Sequence, residues 1–271
     1  GIENRLPGAE LNALLGVEKM LSAALLRHDW TNAESLAIRA STHVNIFVAG
    51  EAGERDALSF FGREKDKPFK GEPYERAMAD YYLGVIRFRG GDHEGALAAF
   101  RSAMNKDRGS FLLPVEREKA KKRRENVERY LYEDDYALLE ILAAKCCQLL
   151  EEPEDAQKYL ARAIATHPAV TPLFEEVMDP RTNVLVLIEA GRAPFKRRTG
   201  PQGAILGYTP APEAALERVS LDGEELSFGL CEDLYYQATT VGGRQVAQLN
   251  LVKAEPQQIL ETAGIATPGT G

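Results

Sequence analysis

A chain of 271 residues is long enough for one large domain or two ordinary ones, and its 44% hydrophobic and 27% charged content is that of a globular protein. The formal net charge of -8 and the pI near 5.3 argue against nucleic acid as the main partner, because phosphate binding needs a basic surface. Three Cys, with Cys146 and Cys147 adjacent and Cys231 remote, do not make a disulfide framework, and no apolar run approaches the roughly 20 residues that span a bilayer.

Leu11 to Arg27 is a predicted helix, with Leu14, Val17, Leu21 and Ala24 at helical spacing and Leu15, Leu25 and Leu26 widening the apolar face. His28 to Asn32 is a polar turn. A second helix starts near Asn32 and carries Ala33, Leu36, Ala37 and Ala40 on one face. Val48 to Pro73, with its glycines and the charged string GREKDKPFKGEP, reads as a long excursion tucked down by Phe60, Phe61 and Phe69 and joining two helical units.

Tyr74 to Arg89 is a helix with apolar residues nearly all round: Met78, Tyr81, Tyr82, Leu83, Val85, Ile86 and Phe88. Such a helix packs on more than one side. Gly90-Gly91-Asp92 is a turn, and His93 to Met104 is a second helix burying Ala96, Leu97, Phe100, Ala103 and Met104. This hairpin resembles the 34-residue tetratricopeptide consensus. Leu83-Gly84 fills its Leu-Gly pair, Gly91-Asp92 its turn, and Ala96, Phe100 and Ala103 its second-helix slots, while Asp80 and Arg108 depart from it.

Two further stretches fit the same slots. In Ala137 to Pro168 they are Ala156, Leu160, Ala163 and Pro168, with Ala143-Ala144 for Leu-Gly; in Leu14 to Thr42 they are Asp29, Ala33, Ala37 and Ala40, with Trp30 in the turn's aromatic slot. A lone hairpin cannot bury its faces, so the three are expected to stack, irregularly because long insertions separate them. The second insertion holds EREKAKKRRENVERY, Glu116 to Tyr130. Its Glu118–Lys122 and Glu125–Arg129 pairs suit an exposed charged helix. Read functionally, Lys119, Lys121, Lys122, Arg123 and Arg124 would form a patch for an acidic partner, which the interleaved Glu residues weaken.

Met178-Asp179-Pro180 ends the last helix, and a boundary falls there. NVLVLIEAG, a continuous apolar run ended by Gly191, reads as a buried strand; RAPFKRRTG follows as a basic loop and AILGY as a short strand. Asp222-Gly223 between β-favouring residues signals a hairpin. Glu232 to Asn250 returns to helix, interrupted at Gly242-Gly243, and the tail ATPGTG is expected to be disordered. The expected class is α+β: an irregular tetratricopeptide-like α-helical array over residues 1–179, then a small mixed β/α domain over residues 180–271.

Chemistry is sparse. Each of the four His has a structural explanation: His28 and His93 lie at repeat turns, His43 ends a helix and His167 precedes Pro168. There is no H-E-x-x-H spacing, no G-x-S-x-G elbow and no phosphate-binding G-x-x-x-x-G-K-[ST] loop. No catalytic residue, metal site or cofactor is therefore expected. One loop, Gly191 to Gly200, gathers Arg192, Lys196, Arg197 and Arg198, a candidate anion-binding loop whose plainer reading is a solvated basic loop. The first helices of stacked hairpins form a concave face that commonly takes an extended peptide or a partner helix. On consensus geometry its outward slots are Met78, Tyr81, Val85, Phe88 and Arg89, with Lys145 and Gln148 in the third repeat. That mixture predicts an apolar contact, with another subunit or with the chain's own C-terminal part. The same Tyr81, Tyr82 and Phe88 could instead be core. The leading expectation is thus a non-enzymatic scaffold binding a protein partner. The alternative is an enzyme or small-ligand protein whose site joins Lys196–Arg198 to Glu232-Asp233.

Three strings, PFKGEPYERAMADYYLGVIRFRGGDHEGALAAF, NVLVLIEAGRAPFK and EDLYYQATTVGGR, resemble a family of uncharacterised bacterial cell-envelope proteins with tetratricopeptide repeats, often lipoproteins. The first resembles the family segment with a Tyr-Glu-Arg triplet just before its best repeat, the second its Gly-x-x-Pro-x-Lys loop after a strand. The resemblance implies export to the periplasm, an outer-membrane anchor upstream of Gly1, and membership of an envelope assembly. No targeting segment lies within the residues themselves.

Overall fold

The computed structural model describes residues 12–51, 71–107, 109–110, 131–132, 136–199, 205–210, 218–226 and 228–239, giving the backbone alone for 47–51, 109–110, 131–132, 198–199, 205–206, 221 and 224. It is mostly helical, with short antiparallel ladders. Helices α1 (Ala13–Leu26) and α2 (Trp30–Glu51) form one hairpin, α3 (Pro73–Arg89) and α4 (His93–Asp107) a second, and α5 (Ala137–Leu149) and α6 (Pro153–Thr166) a third. α2 runs on through Val48 to Glu51, where the sequence pointed to a loop. The expected tuck by Phe60, Phe61 and Phe69 and the charged Glu116–Tyr130 helix lie outside the described residues.

The three hairpins turn in one way. His28, Gly91 and Glu151 each take a left-handed φ, of 56°, 82° and 60°. The amide of the next residue then reaches back to the preceding helix: Asp29 N to Ala24 O at 3.0 Å, Asp92 N to Arg87 O at 3.0 Å, Glu152 N to Cys147 O at 2.8 Å. These bonds satisfy carbonyls that a helix end leaves without partners. The same residue's carbonyl opens the next helix, accepting from Ala33, Ala96 and Ala156. Only Gly91 adopts the left-handed region without steric cost, which explains why glycine punctuation revealed that turn and not the others.

Each hairpin's second helix packs on the next hairpin's first: α2 on α3, and α4 on α5. Small residues permit the close approach, Ala33, Ala37, Ala40, Ala96, Ala103 and Ala163 all being buried. α3 serves two cores. Ala79, Leu83 and Ile86 join Leu14, Val17, Leu21 and Leu36 on one side, and Tyr74, Ala77 and Tyr81 join Phe100, Tyr136, Leu139 and Leu142 on the other. This is the packing on more than one side that its apolar circumference required. Gly84 lies directly under Phe100, where an added Cβ would fall 2.3 Å from Cε1.

Asp80, which departs from the expected aromatic, is 1% exposed. Its carboxylate is paired by Lys106 Nζ of the second helix and accepts a hydrogen bond from Ser102 Oγ at 2.9 Å. Glu140, in the corresponding place on α5, is paired by Arg162 of α6 at 2.6 Å. A buried carboxylate bridged to the partner helix thus replaces an apolar knob twice, tolerable only because each charge is met by a cation.

A ladder of β1 (Gly109–Ser110) with β2 (Leu131–Tyr132), unforeseen from sequence, joins the two ends of the second insertion. After a 3-10 turn at Pro168–Val170, α7 (Thr171–Met178) closes the helical part. Beyond it, the expected strand NVLVLIEAG belongs to no ladder among the described residues. The segment expected as a basic loop supplies β3 (Phe195–Thr199), paired antiparallel with β4 (Ile205–Thr209). Consecutive cations are compatible with an exposed strand, and Lys196 and Arg197 are indeed exposed. β5 (Ser220–Leu221) and β6 (Glu224–Glu225) flank Asp222 and Gly223, both at positive φ, which is the turn an Asp-Gly pair favours. α8 (Leu234–Thr239) follows. Its Ala238 belongs to the same buried cluster as Phe100 and Tyr136, with Leu185, Leu187, Tyr208 and Leu234 packed against that cluster. No helix among the described residues is long and apolar enough to cross a membrane.

Candidate functional site: a helical groove holding an extended segment

The first helices α3 and α5 present the face on which a partner was expected, and residues 178–189 of the chain itself lie on it. Three polar contacts fix one end. Lys145 Nζ donates to Val177 O at 2.8 Å and to Thr182 O at 3.4 Å, and Gln148 Nε2 donates to Met178 O at 2.6 Å. These cap the carbonyl end of α7, where a cation is electrostatically favoured. Burial lowers the Lys145 pKa, and Asp179 opposes that fall. Asp179 is itself held at about 2 by its hydrogen bonds and ion pair with Arg181, 2.5 Å away.

At the other end, the Tyr82 hydroxyl donates to Glu189 Oε2 at 2.9 Å. Desolvation, with the Glu189 charge beside it, pushes the Tyr82 and Tyr81 pKa values well up, so both hydroxyls stay protonated donors. Between the ends, the segment alternates. Leu185 and Leu187 pack against the core below, while Val184, Val186 and Ile188 are 63%, 50% and 42% exposed. The continuous apolar run is therefore covered on one face only among the described residues, not on two as a buried strand would be.

The sequence-derived groove residues divide accordingly. Tyr81 is 3% exposed and belongs to the core, so it is no outward slot. Met78, Val85 and Phe88 are half-buried against the same cluster, Met78 Sδ accepting from the Tyr136 hydroxyl at 3.4 Å. Arg89 is exposed and stacks over Trp30 at 4.1 Å, bridging the second hairpin to the first. Lys145 and Gln148 are engaged with backbone carbonyls. Tyr82, Leu185, Leu187 and Glu189 were not singled out as contact residues. Tyr82 sat beside the slot that was, and the run around Leu185 gave no clue to which face would be covered.

Of the candidate anion loop, Arg192 and Arg197 are exposed, and the Arg198 side chain lies outside the described residues. Lys196 Nζ pairs with the buried Glu72 at 2.6 Å, docking the β3–β4 ladder on the start of α3 next to the edge-to-face Tyr74–Tyr208 contact. Burial raises the Glu72 pKa and Lys196 counters it. Glu232 accepts from Gln237 Nε2 at 3.0 Å, and Asp233 caps α8 by accepting from Tyr235 N at 2.8 Å, so both have structural work. Burial pushes the thiols of Cys146 and Cys147 up to about 12 and about 11, away from nucleophilic chemistry. Among the described residues no group of His, Cys, Asp or Glu could hold a metal ion. No known protein family, curated protein or solved structure matches the chain.

Proposed function

We propose that this chain is a tetratricopeptide-like, non-enzymatic scaffold that binds a protein partner through the face formed by its first helices, within a bacterial cell-envelope assembly. The observation that carries the reading is the segment on α3 and α5: this face already holds extended polypeptide through alternate side chains and backbone carbonyls. Repetition of one turn geometry and one helix-to-helix packing through three hairpins supports the repeat assignment. The periplasmic location rests on the three strings that resemble the envelope family.

The test is co-purification of the natively expressed, tagged chain against a Tyr82→Ala/Arg89→Glu variant. Tyr82 touches the seated segment through Glu189, and Arg89 lies exposed near the end of α3 over Trp30; neither is among the buried core residues that include Tyr81. The variant should lose the wild-type partner while keeping its far-UV circular dichroism. The wild-type complex should survive molar salt, as an apolar interface does. An unchanged set of partners in the variant would overturn the proposal.

A further inference from the structure

We infer that the groove on α3 and α5 is a peptide site occupied in cis by residues 182–189, and that it selects an extended segment with leucine-like side chains at alternate positions followed two residues on by a carboxylate. The inference rests on the scaffold reading and names both the ligand class and the regulation of that site. The seated segment itself states what fits. Leu185 and Leu187 point onto the core cluster, and Glu189 takes the hydrogen bond of a tyrosine hydroxyl that burial keeps protonated. Among the described residues, the hydrogen bonds of Lys145 and Gln148 to the chain they hold all go to carbonyls, so they bind backbone and leave sequence choice to the leucines and the carboxylate.

The way the segment is held makes it exchangeable. It pairs with no strand among the described residues, and its alternate side chains Val184, Val186 and Ile188 face outward. Lys145 and Gln148 keep their bonds to Val177 and Met178 at the end of α7 if the chain beyond Thr182 departs. Among the described residues, a competitor therefore has to replace two leucine contacts, the Lys145 bond to Thr182 O and the tyrosine hydrogen bonding to Glu189. The cis segment acts as an autoinhibitory occupant and lowers apparent affinity by the fraction of time it is seated.

The experiment titrates a fluorescent peptide of residues 182–190, TNVLVLIEA, against the full chain and against full-length Leu185→Ser/Leu187→Ser. The double variant should bind at least about ten-fold more tightly than wild type. A peptide with glutamine in place of the glutamate should bind several-fold more weakly, and Tyr82→Phe in the double variant should shrink that difference. A folded double variant that binds no better than wild type overturns the inference, as does binding unaffected by serine at both leucine positions of the peptide. Glu189→Gln in the full chain leaves the leucine contacts intact. It provides the same test if the double variant does not fold, with a several-fold gain in peptide affinity expected and no gain contradicting the inference. If the native partner co-purifies as proposed but the peptide fails, this inference falls and the scaffold reading stands.

Discussion

Replacing Gly84 by alanine adds one methyl group where the fold has no room for it. The new Cβ would lie 2.3, 2.6 and 2.8 Å from Cε1, Cδ1 and Cζ of Phe100. Phe100 is fully buried between α3, α4 and α5, so its ring has no solvent to swing into. Alanine is favoured over glycine by about 1 kcal/mol in a helix interior. Overpacking a filled core costs about 1–3 kcal/mol, and a contact with ring atoms this close belongs at or above the top of that range. The net expectation is a loss of about 2 kcal/mol, a large share of the roughly 5–15 kcal/mol that holds a domain together. With a urea slope near 2 kcal/mol/M, the unfolding midpoint should fall by about 1 M, read by circular dichroism. Gly16→Ala is the internal control. Nothing lies within 4 Å of its added Cβ, so the same substitution should stabilise α1 by up to about 1 kcal/mol. Gly84→Ala combined with Phe100→Leu should recover part of the loss through a coupling of about 1 kcal/mol. A Gly84→Ala protein as stable as wild type would refute the close packing of α3 on α4.

Other residues give equally direct outcomes. Glu18 has its pKa raised to about 7, first by burial and then by the Glu75 charge. Between about 4.5 and 7 the folded chain therefore holds a proton that the unfolded chain has released. This stabilisation is complete below the unfolded value and disappears as pH rises through the folded one, a change of roughly 3 kcal/mol. Glu18→Gln should accordingly be more stable than wild type at pH 8 and much closer to it at pH 4.5, measured by urea unfolding at both values. Lys106→Met strands the buried Asp80 carboxylate and should cost about 3–5 kcal/mol, whereas Asp80→Leu/Lys106→Met should regain most of it. Glu151→Gly relieves a left-handed residue at an exposed turn and should raise the melting temperature by a few degrees, about 0.5–1 kcal/mol.

The helices were legible because their signals are local. Leu83-Gly84 with Phe100, the Gly91-Asp92 turn and the Asp222-Gly223 pair each encode geometry within a few residues. What stayed hidden depends on contacts remote in sequence. Asp80 reads as a departure from the pattern and nothing local marks Glu140, because their partners Lys106 and Arg162 lie on the other helix of each hairpin. Tyr81 and Tyr82 are adjacent on a helix that is apolar nearly all round, so periodicity could not say that Tyr81 is buried in the core while Tyr82 is half-buried with its hydroxyl on Glu189. The run Val184 to Ile188 is apolar at every position, and only its placement on α3 and α5 separates Leu185 and Leu187 from their exposed neighbours. The basic segment around Lys196 read as a loop because charge outweighed the backbone pairing that β4 supplies.

The claim that the chain occupies its own groove is tested most directly by a photoreactive benzoylphenylalanine at position 82, an aromatic replacement for Tyr82 on the half-exposed face of α3. The account predicts that irradiation of dilute protein yields an intramolecular cross-link at monomer mass, mapped by mass spectrometry to the peptide containing Leu185, Leu187 and Glu189. Cross-links that map elsewhere on the chain, or that appear only between molecules, would contradict it.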